Sequence, residues 1–391
     1  MSTIADVDCP CPSATDGEIA AINLESARRR AWVRFARDPR RRGLAEAVVD
    51  QERLTMQFLG DPSALDRLEE FASQFTRADD SFHTALVQAD VASTAHRFAD
   101  ARDHLARAAL MHGPRDEIER HSLSIDQACG VELEAVLATR RRIASASGRL
   151  EDLVPLGAVL ADLARFTNAD SVYRQALHSY SDVSPFPLAW VCFQLGMLWG
   201  ELVPVPDPNL AARWYQAAIS YFPGYVKARI HLAEIHVRHD QTSDAEALLL
   251  PALSSGDPEV RWRLADILIA QERFEEAEIQ LDVARVGFND LLDKHFLAFA
   301  DHAAEFYAGS GNDCGLAAEL ARANVINRPT RSAVAQAHAI AMQADERRTL
   351  AATPRLWHRA RARCAHTIGH PACSTSVVPR VLHDLEQPTT T

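Results

Sequence analysis

The fold is decided by residues 226–290, VKARIHLAEIHVRHDQTSDAEALLLPALSSGDPEVRWRLADILIAQERFEEAEIQLDVARVGFND. This stretch repeats one pattern after 32 positions: a large residue followed by a small one, and then a small, a large and a small residue. The first copy is Leu232, Ala233, Ala245, Leu249 and Ala252, and the second is Leu264, Ala265, Ala277, Leu281 and Ala284. A period in this range predicts a solenoid built from two-helix units.

The same pattern continues on both sides of this stretch. Upstream, Ala211, Tyr215 and Ala218 precede the first small-large-small set by 34 positions. Small residues let neighbouring helices approach closely, and large ones fill the groove between them. The recognisable units are 82–115, 150–183, 189–225, 226–257, 258–290 and 297–330, and the unit 116–149 is helical but degenerate. Their succession in one register indicates a repeat protein.

These positions resemble the tetratricopeptide repeat (TPR) family, in its bacterial type, over roughly 250 residues. The resemblance implies an all-α fold, a right-handed superhelical solenoid of antiparallel helix pairs. In that family the second, fifth, ninth, twelfth and thirteenth residues of the first helix of each unit, helix A, line a concave groove. The corresponding residues here are Trp190, Phe193, Met197, Glu201, Lys227, Ile230, Glu234, Arg238, Glu259, Trp262 and Asp266. In the alternative interpretation, the aromatic residues of this set pack between adjacent helices.

The sequence divides into five regions around this array. Residues 1–16 are rich in Pro, Ser, Thr and Asp, which predicts a flexible arm, and 17–81 carry helical patterns separated by proline. Because a solenoid must cover its last apolar face, the segment after the repeats is expected to supply capping helices. The expected regions are the arm 1–16, an N-terminal helical region 17–81, the solenoid 82–330, capping helices 331–385 and a disordered tail 386–391.

Composition excludes several classes of partner. The net charge of -12 argues against nucleic acid, because an acidic chain repels phosphate. The chain shows neither the roughly 20 consecutive apolar residues of a membrane span nor a signal peptide. We therefore expect a cytoplasmic protein that binds no membrane. Its seven cysteines form no disulfide framework, and a homodimer is compatible with the sequence.

No recognisable catalytic set is present, so we expect a protein without enzymatic activity or cofactor. The glycine-rich segment 309–315 lacks the Lys and Ser/Thr of a phosphate-binding loop and falls where an inter-helix turn is expected. His302 and Glu305 share a helix face, which favours a polar pair over a catalytic one because no third partner is apparent.

The best metal-like spacing lies near the C-terminus, in Cys364, His366, His370 and Cys373. Two thiolates and two imidazoles are a zinc ligand set, although the spacing fits no standard finger. A solvated segment is the alternative. His231 and His236 lie about 140° apart around a helix, so we expect no shared site there.

These observations favour a first hypothesis, in which the protein is an interaction module that holds a peptide or a partner-protein segment in the concave groove. A second hypothesis is an accessory or maturation factor that handles a metal or cofactor through His and Cys residues for a partner enzyme. A third is a peptide-sensing regulator, for which the Arg-rich segment 28–42 would have to supply a DNA-binding helix.

Overall fold

The computed structural model describes residues 13–78 and 80–352, with the side chains of residue 78 and of 346–352 left out. Within these residues the chain is all-α and has no strand, and none of the helices is long and apolar enough to cross a membrane. The helices are α1 Gly17–Arg37, α2 Leu44–Leu59, α3 Ser63–Ala78, α4 Phe82–Thr94, α5 Phe98–Leu110, α6 Arg115–Ala128, α7 Leu133–Ser147, α8 Leu150–Asp162, α9 Phe166–Ser179, α10 Pro185–Met197, α11 Pro208–Tyr221, α12 Val226–Arg238, α13 Thr242–Leu249, α14 Pro258–Ala270, α15 Phe274–Ala308, α16 Cys314–Asn327 and α17 Arg331–Ala352.

Successive helices pack as pairs, so the expected all-α fold of helix hairpins is confirmed. Two of the pairs show why a glycine stands at the small position of helix A. A Cβ on Gly157 would lie 2.5 Å from Cε1 of Tyr173, and a Cβ on Gly196 would lie 2.4 Å from Cε1 of Tyr215. The tyrosine of helix B therefore occupies the space that a side chain on helix A would need.

The turn inside most hairpins contains one residue in the left-handed backbone conformation. These residues are His96, Ala164, Asp240, Glu272 and Asn312, with φ between 54° and 61°. At four of these turns the residue after the left-handed one donates its N–H to a carbonyl five positions earlier, as in Arg165 N to Leu160 O at 2.8 Å. Such a turn ends a helix by satisfying its last carbonyls, and glycine would fit it without strain.

One connection between units is shorter than expected. Helix B of the unit 258–290 and helix A of the unit 297–330 are two helices that follow each other without a loop, and together they form α15 from Phe274 to Ala308. Only His295, with φ -137° and ψ 51°, interrupts it. Since no glycine or proline lies between residues 288 and 300, the chain passes from one unit to the next through a kink in place of a loop.

The inter-helix turn of the unit 189–225 is longer than that of the other units because of an insertion at 202–208, which comes after the π-helical end of α10. Residues Leu198–Leu202 form a π-helical turn, and the side chain of Asp207 then accepts the N–H of Leu210 at 2.9 Å to begin α11. The turn places Glu201 close to α12 of the next unit.

The two ends of the repeat array contact each other. The amide of Asn327 donates to the carbonyl of His96 at 2.9 Å, and Nδ1 of His96 lies 3.3 Å from the carbonyl of Leu297. Nearby, a Cβ on Gly130 would lie 3.4 Å from the carbonyl oxygen of Pro329. These contacts join residues separated by about 200 positions, which repeat periodicity alone does not predict.

The N-terminal helices α1–α3 pack on the array. Phe58 contacts Phe186, Phe222 and Tyr225 with ring centroids 5.0, 5.7 and 4.7 Å away. Within these helices the buried carboxylate of Glu52 accepts hydrogen bonds from Arg28 at 3.2 Å, Trp32 at 2.7 Å and Arg67 at 2.8 Å. At the other end, α17 covers α15 and α16. Residues 353–391, with Cys364, His366, His370 and Cys373, lie outside the described residues.

Candidate binding face of the repeat array

A row of charged side chains crosses four consecutive A helices, namely α10 with its π-turn, α12, α14 and the second half of α15. We call this row the inner ladder. It consists of Glu201, Lys227, His231, Glu234, Asp257, Glu259, Arg263, Asp266, His302 and Glu305. Each rung joins a residue of one repeat to a residue of the next.

The lower rungs centre on Glu259, which is buried. Its Oε2 accepts a hydrogen bond from Nζ of Lys227 at 2.6 Å and lies 3.3 Å from Nδ1 of His302. Lys227 also lies 3.2 Å from Asp257, whose side chain caps α14 by accepting the N–H of Glu259. Three repeats are therefore linked through one carboxylate.

Arg263 forms the middle rung. Its Nη2 lies 2.8 Å from Oε1 of Glu234 on the preceding repeat and 4.0 Å from Oε2 of Glu305 on the following one. Its guanidinium carbon stands 3.6 Å from the centroid of the Trp262 ring, within the range of a cation–π contact. Nε of Arg263 is buried and has no hydrogen-bond partner among the described residues.

The upper rung joins His231 to two carboxylates. Nδ1 of His231 lies 2.8 Å from Oε1 of Glu201 and 3.6 Å from Oε2 of Glu234. The imidazole stacks on Tyr215, with ring centroids 5.4 Å apart and planes 19° apart, and Phe193 approaches it edge-on. The aromatic contacts fix the ring plane of His231.

Burial and neighbouring charges shift the pKa values of the ladder. Burial raises the pKa of Asp266 to about 6, although Arg263 and the Ser310 hydroxyl, 2.5 Å from its carboxylate, oppose this. Burial also opposes ionisation of Glu259, but Lys227 and His302 hold the pKa of its carboxyl well below its usual value.

The pKa of His302 moves in the other direction. Burial and Lys227 disfavour its charged form, but attraction by Asp301 and Glu259 outweighs them and raises the pKa to about 9. His302 keeps 40% of its side chain exposed, so the ladder presents a protonated imidazole to solvent at neutral pH.

Six of the eleven sequence-predicted groove residues keep partial or full exposure: Trp190, Met197, Glu201, Lys227, Glu234 and Arg238. Three of them, Glu201, Lys227 and Glu234, belong to the ladder. Met197 lies beside it, with its sulfur 3.4 Å from the Tyr215 hydroxyl.

The other five are buried and do not line an open groove, and two of them, Phe193 and Trp262, pack between helices as in the alternative interpretation. Ile230 has no exposed surface because it packs among α12, α13 and α14, and Trp262 is 4% exposed because it packs against Phe288 and Phe306. Phe193 is covered by Tyr225 and Tyr215. Glu259 and Asp266 are buried as charged members of the ladder.

Five ladder residues did not figure in the sequence-based groove: the carboxylates Asp257 and Glu305, and the basic residues His231, Arg263 and His302. Each of the three basic residues stands at the sixth position of its unit, counted from residues 226, 258 and 297. The groove positions of the family do not include the sixth residue of helix A, so the resemblance does not predict this column of basic residues. A basic residue at the same position of three consecutive units is the signal that would have found it.

No protein-family model matches the sequence, and no curated protein matches it. Similar solved structures include a Rap protein complexed with Competence and Sporulation Factor, at 14% identity and TM-score 0.47 over 82% of this chain and 99% of that one. They also include Naa15/Naa10 bound to HypK-THB, at 14% identity and TM-score 0.30 over 88% and 64%, and yeast Tom70, at 13% identity and TM-score 0.31 over 93% and 96%. These neighbours are TPR-type helical-repeat proteins. At such values the similarity concerns the fold alone.

Proposed function

We propose that the chain is a protein-interaction module that binds a peptide or a partner-protein segment along the inner ladder. The observation that carries this proposal is the charge of the ladder. Taking charged groups out of water costs free energy that ion pairing often fails to recover, so apolar residues would hold the A helices together equally well. A half-buried row of paired charges is therefore better suited to recognition than to packing.

The balance of charge suggests the chemistry of the ligand. The ladder contains six carboxyl groups, Glu201, Glu234, Asp257, Glu259, Asp266 and Glu305, against the four basic groups Lys227, His231, Arg263 and His302. Complementary charge across an interface speeds association and selects the partner. We infer a ligand segment with net positive charge, bearing Lys or Arg.

The absence of an evident catalytic set agrees with a binding role. The ladder has basic and acidic groups in contact, but the carboxylates are engaged in ion pairs along its length, and no nucleophile such as Ser or Cys belongs to it. We accordingly propose a cytoplasmic, non-enzymatic adaptor.

Selection from a random peptide library tests the proposal. Immobilised full-length protein should enrich peptides with Lys or Arg, and a selected peptide should bind at least about 10-fold more weakly when its basic residues are replaced by Glu. Enrichment of acidic peptides, or of no peptide class, would show that the ladder does not bind basic peptides.

A further inference from the structure

The upper rung of the ladder brings three metal-ligating side chains together. The three ligand atoms, one carboxylate oxygen each of Glu201 and Glu234 and one imidazole nitrogen of His231, lie within 4.8 Å of one another. Four ligands about 2.1 Å from a tetrahedral first-row cation are themselves about 3.4 Å apart. The separations of 2.8 and 3.6 Å from Nδ1 of His231 to the two carboxylates lie on either side of that value.

The imidazole has an unsatisfied nitrogen in this cluster. Nδ1 of His231 is buried and has no hydrogen-bond partner among the described residues, although Oε1 of Glu201 is only 2.8 Å away. The carboxylate oxygen therefore stands off the axis along which Nδ1 would donate or accept. A cation on that axis, about 2.1 Å from Nδ1, would be within bonding distance of such an off-axis oxygen.

The surroundings hold the ligands in place and leave one side open. Tyr215 and Phe193 fix the plane of the His231 imidazole. Arg263 binds Oε1 of Glu234, which leaves the other carboxylate oxygen of Glu234, Oε2, facing His231. Groups that orient metal ligands in this way raise metal affinity. Glu201 is 41% exposed, so a cation would have an entry path and a position for water or a further ligand.

The geometry points to a binding site for a divalent first-row transition cation, such as Zn²⁺, formed by Glu201, His231 and Glu234. One imidazole and two carboxylates are ligands that Zn²⁺ accepts, and a site with three protein ligands keeps a fourth position open. The site does not depend on the proposed peptide binding, because it stands on these three side chains alone.

Calorimetric titration of the full-length protein with Zn²⁺ tests the site. Cys364 and Cys373 are first replaced by Ser, since the C-terminal segment is the competing source of ligands. This parent should bind one Zn²⁺, and His231→Gln should weaken binding by at least about 100-fold. Glu201→Gln, at an exposed position, should weaken it by about 10-fold or more.

His236→Gln is the matched control. His236 lies on the same helix, and its Nδ1 instead contacts the Gln241 side chain at 2.6 Å. Zn²⁺ binding that is retained in this control and lost in His231→Gln and Glu201→Gln supports the site. A parent that binds no Zn²⁺, or equal affinity in all variants, overturns it. Circular dichroism shows whether His231→Gln is folded, and Glu201→Gln decides the question if it is not.

Discussion

The packing of α8 against α9 depends on Gly157 having no Cβ atom, because the Tyr173 ring occupies that space. A Cβ at residue 157 would meet Cε1, Cδ1 and Cζ of the Tyr173 ring at 2.5, 2.7 and 2.9 Å, all closer than van der Waals contact. Tyr173 is 2% exposed, so its ring has little room to move. Gly157→Ala should gain about 1 kcal/mol of helix propensity but lose about 1–3 kcal/mol through overpacking.

The sign of this effect should depend on the partner. In Tyr173→Leu the ring is gone, and the loss of buried volume should cost about 2–4 kcal/mol. Adding Gly157→Ala to that variant should then recover about 1–2 kcal/mol, because the methyl fills space and the helix propensity improves. The later units already combine the small and large residues in this way, as Ala233 with Leu249 and Ala265 with Leu281.

The assay is urea unfolding of the four proteins of this double-mutant cycle, followed by far-ultraviolet circular dichroism. We expect Gly157→Ala to lower the free energy of unfolding in the Tyr background and to raise it in the Leu background, with a coupling of about 2–3 kcal/mol. The same cycle at Gly196 and Tyr215, where the closest contact is 2.4 Å, should repeat the result. An effect of equal size and sign in both backgrounds would refute the packing argument.

Three further predictions concern the rest of the fold. Burial, with the nearby Arg328 guanidinium, lowers the pKa of His96 from 6.5 to about 4, although Asp301 opposes this. The unfolded chain therefore binds the His96 proton more tightly than the folded chain, and the free energy of unfolding should fall by up to about 3 kcal/mol as the pH drops from 6.5 to 4. His96→Asn should flatten this part of the stability-versus-pH curve. Glu52→Ala should cost about 2–3 kcal/mol in urea unfolding, because Arg28, Arg67 and Trp32 lose a buried acceptor, while Arg28 keeps Glu25 and Arg67 keeps Asp61. Arg53→Ala, which breaks an exposed pair, should cost under about 1 kcal/mol, and equal losses would contradict the distinction. Ala164, with φ of 56°, should be replaceable by Gly with a gain of up to about 1 kcal/mol, and a lower unfolding midpoint would show that its backbone is unstrained.

The helix pairs were predictable because their signal is local. Small and large residues at fixed spacing specify how closely two helices approach, and Gly157 and Gly196 show that contact in its tightest form. The connection inside α15 was not predictable from that spacing, since a kink at His295 replaces the loop and no turn residue marks it.

The inner ladder was only partly predictable. Glu201, Lys227 and Glu234 follow from the family positions, but their partners His231 and Arg263 come from a different column of the repeat. Glu201 lies in the π-helical turn that follows α10, and the repeat pattern does not specify that turn or its contact with His231. The contact of Asn327 with His96 joins distant parts of the chain, for which one sequence carries no signal.

Charge reversal on the inner ladder is the sharpest test of whether it binds a basic peptide. Fluorescence anisotropy would compare a library-selected peptide on the parent, on Glu305→Gln, on Glu305→Lys, and on the control Glu278→Lys, which makes the same charge change at an exposed position of α15 outside the ladder. We predict that Glu305→Gln, which removes one negative charge from the ladder, raises the Kd about 3-fold or more. Glu305→Lys, which reverses that charge, should raise the Kd about 10-fold or more, a change of about 1.4 kcal/mol, and the control should leave it unchanged. Equal affinity for all four proteins, or the same loss at Glu278 as at Glu305, would contradict the claim.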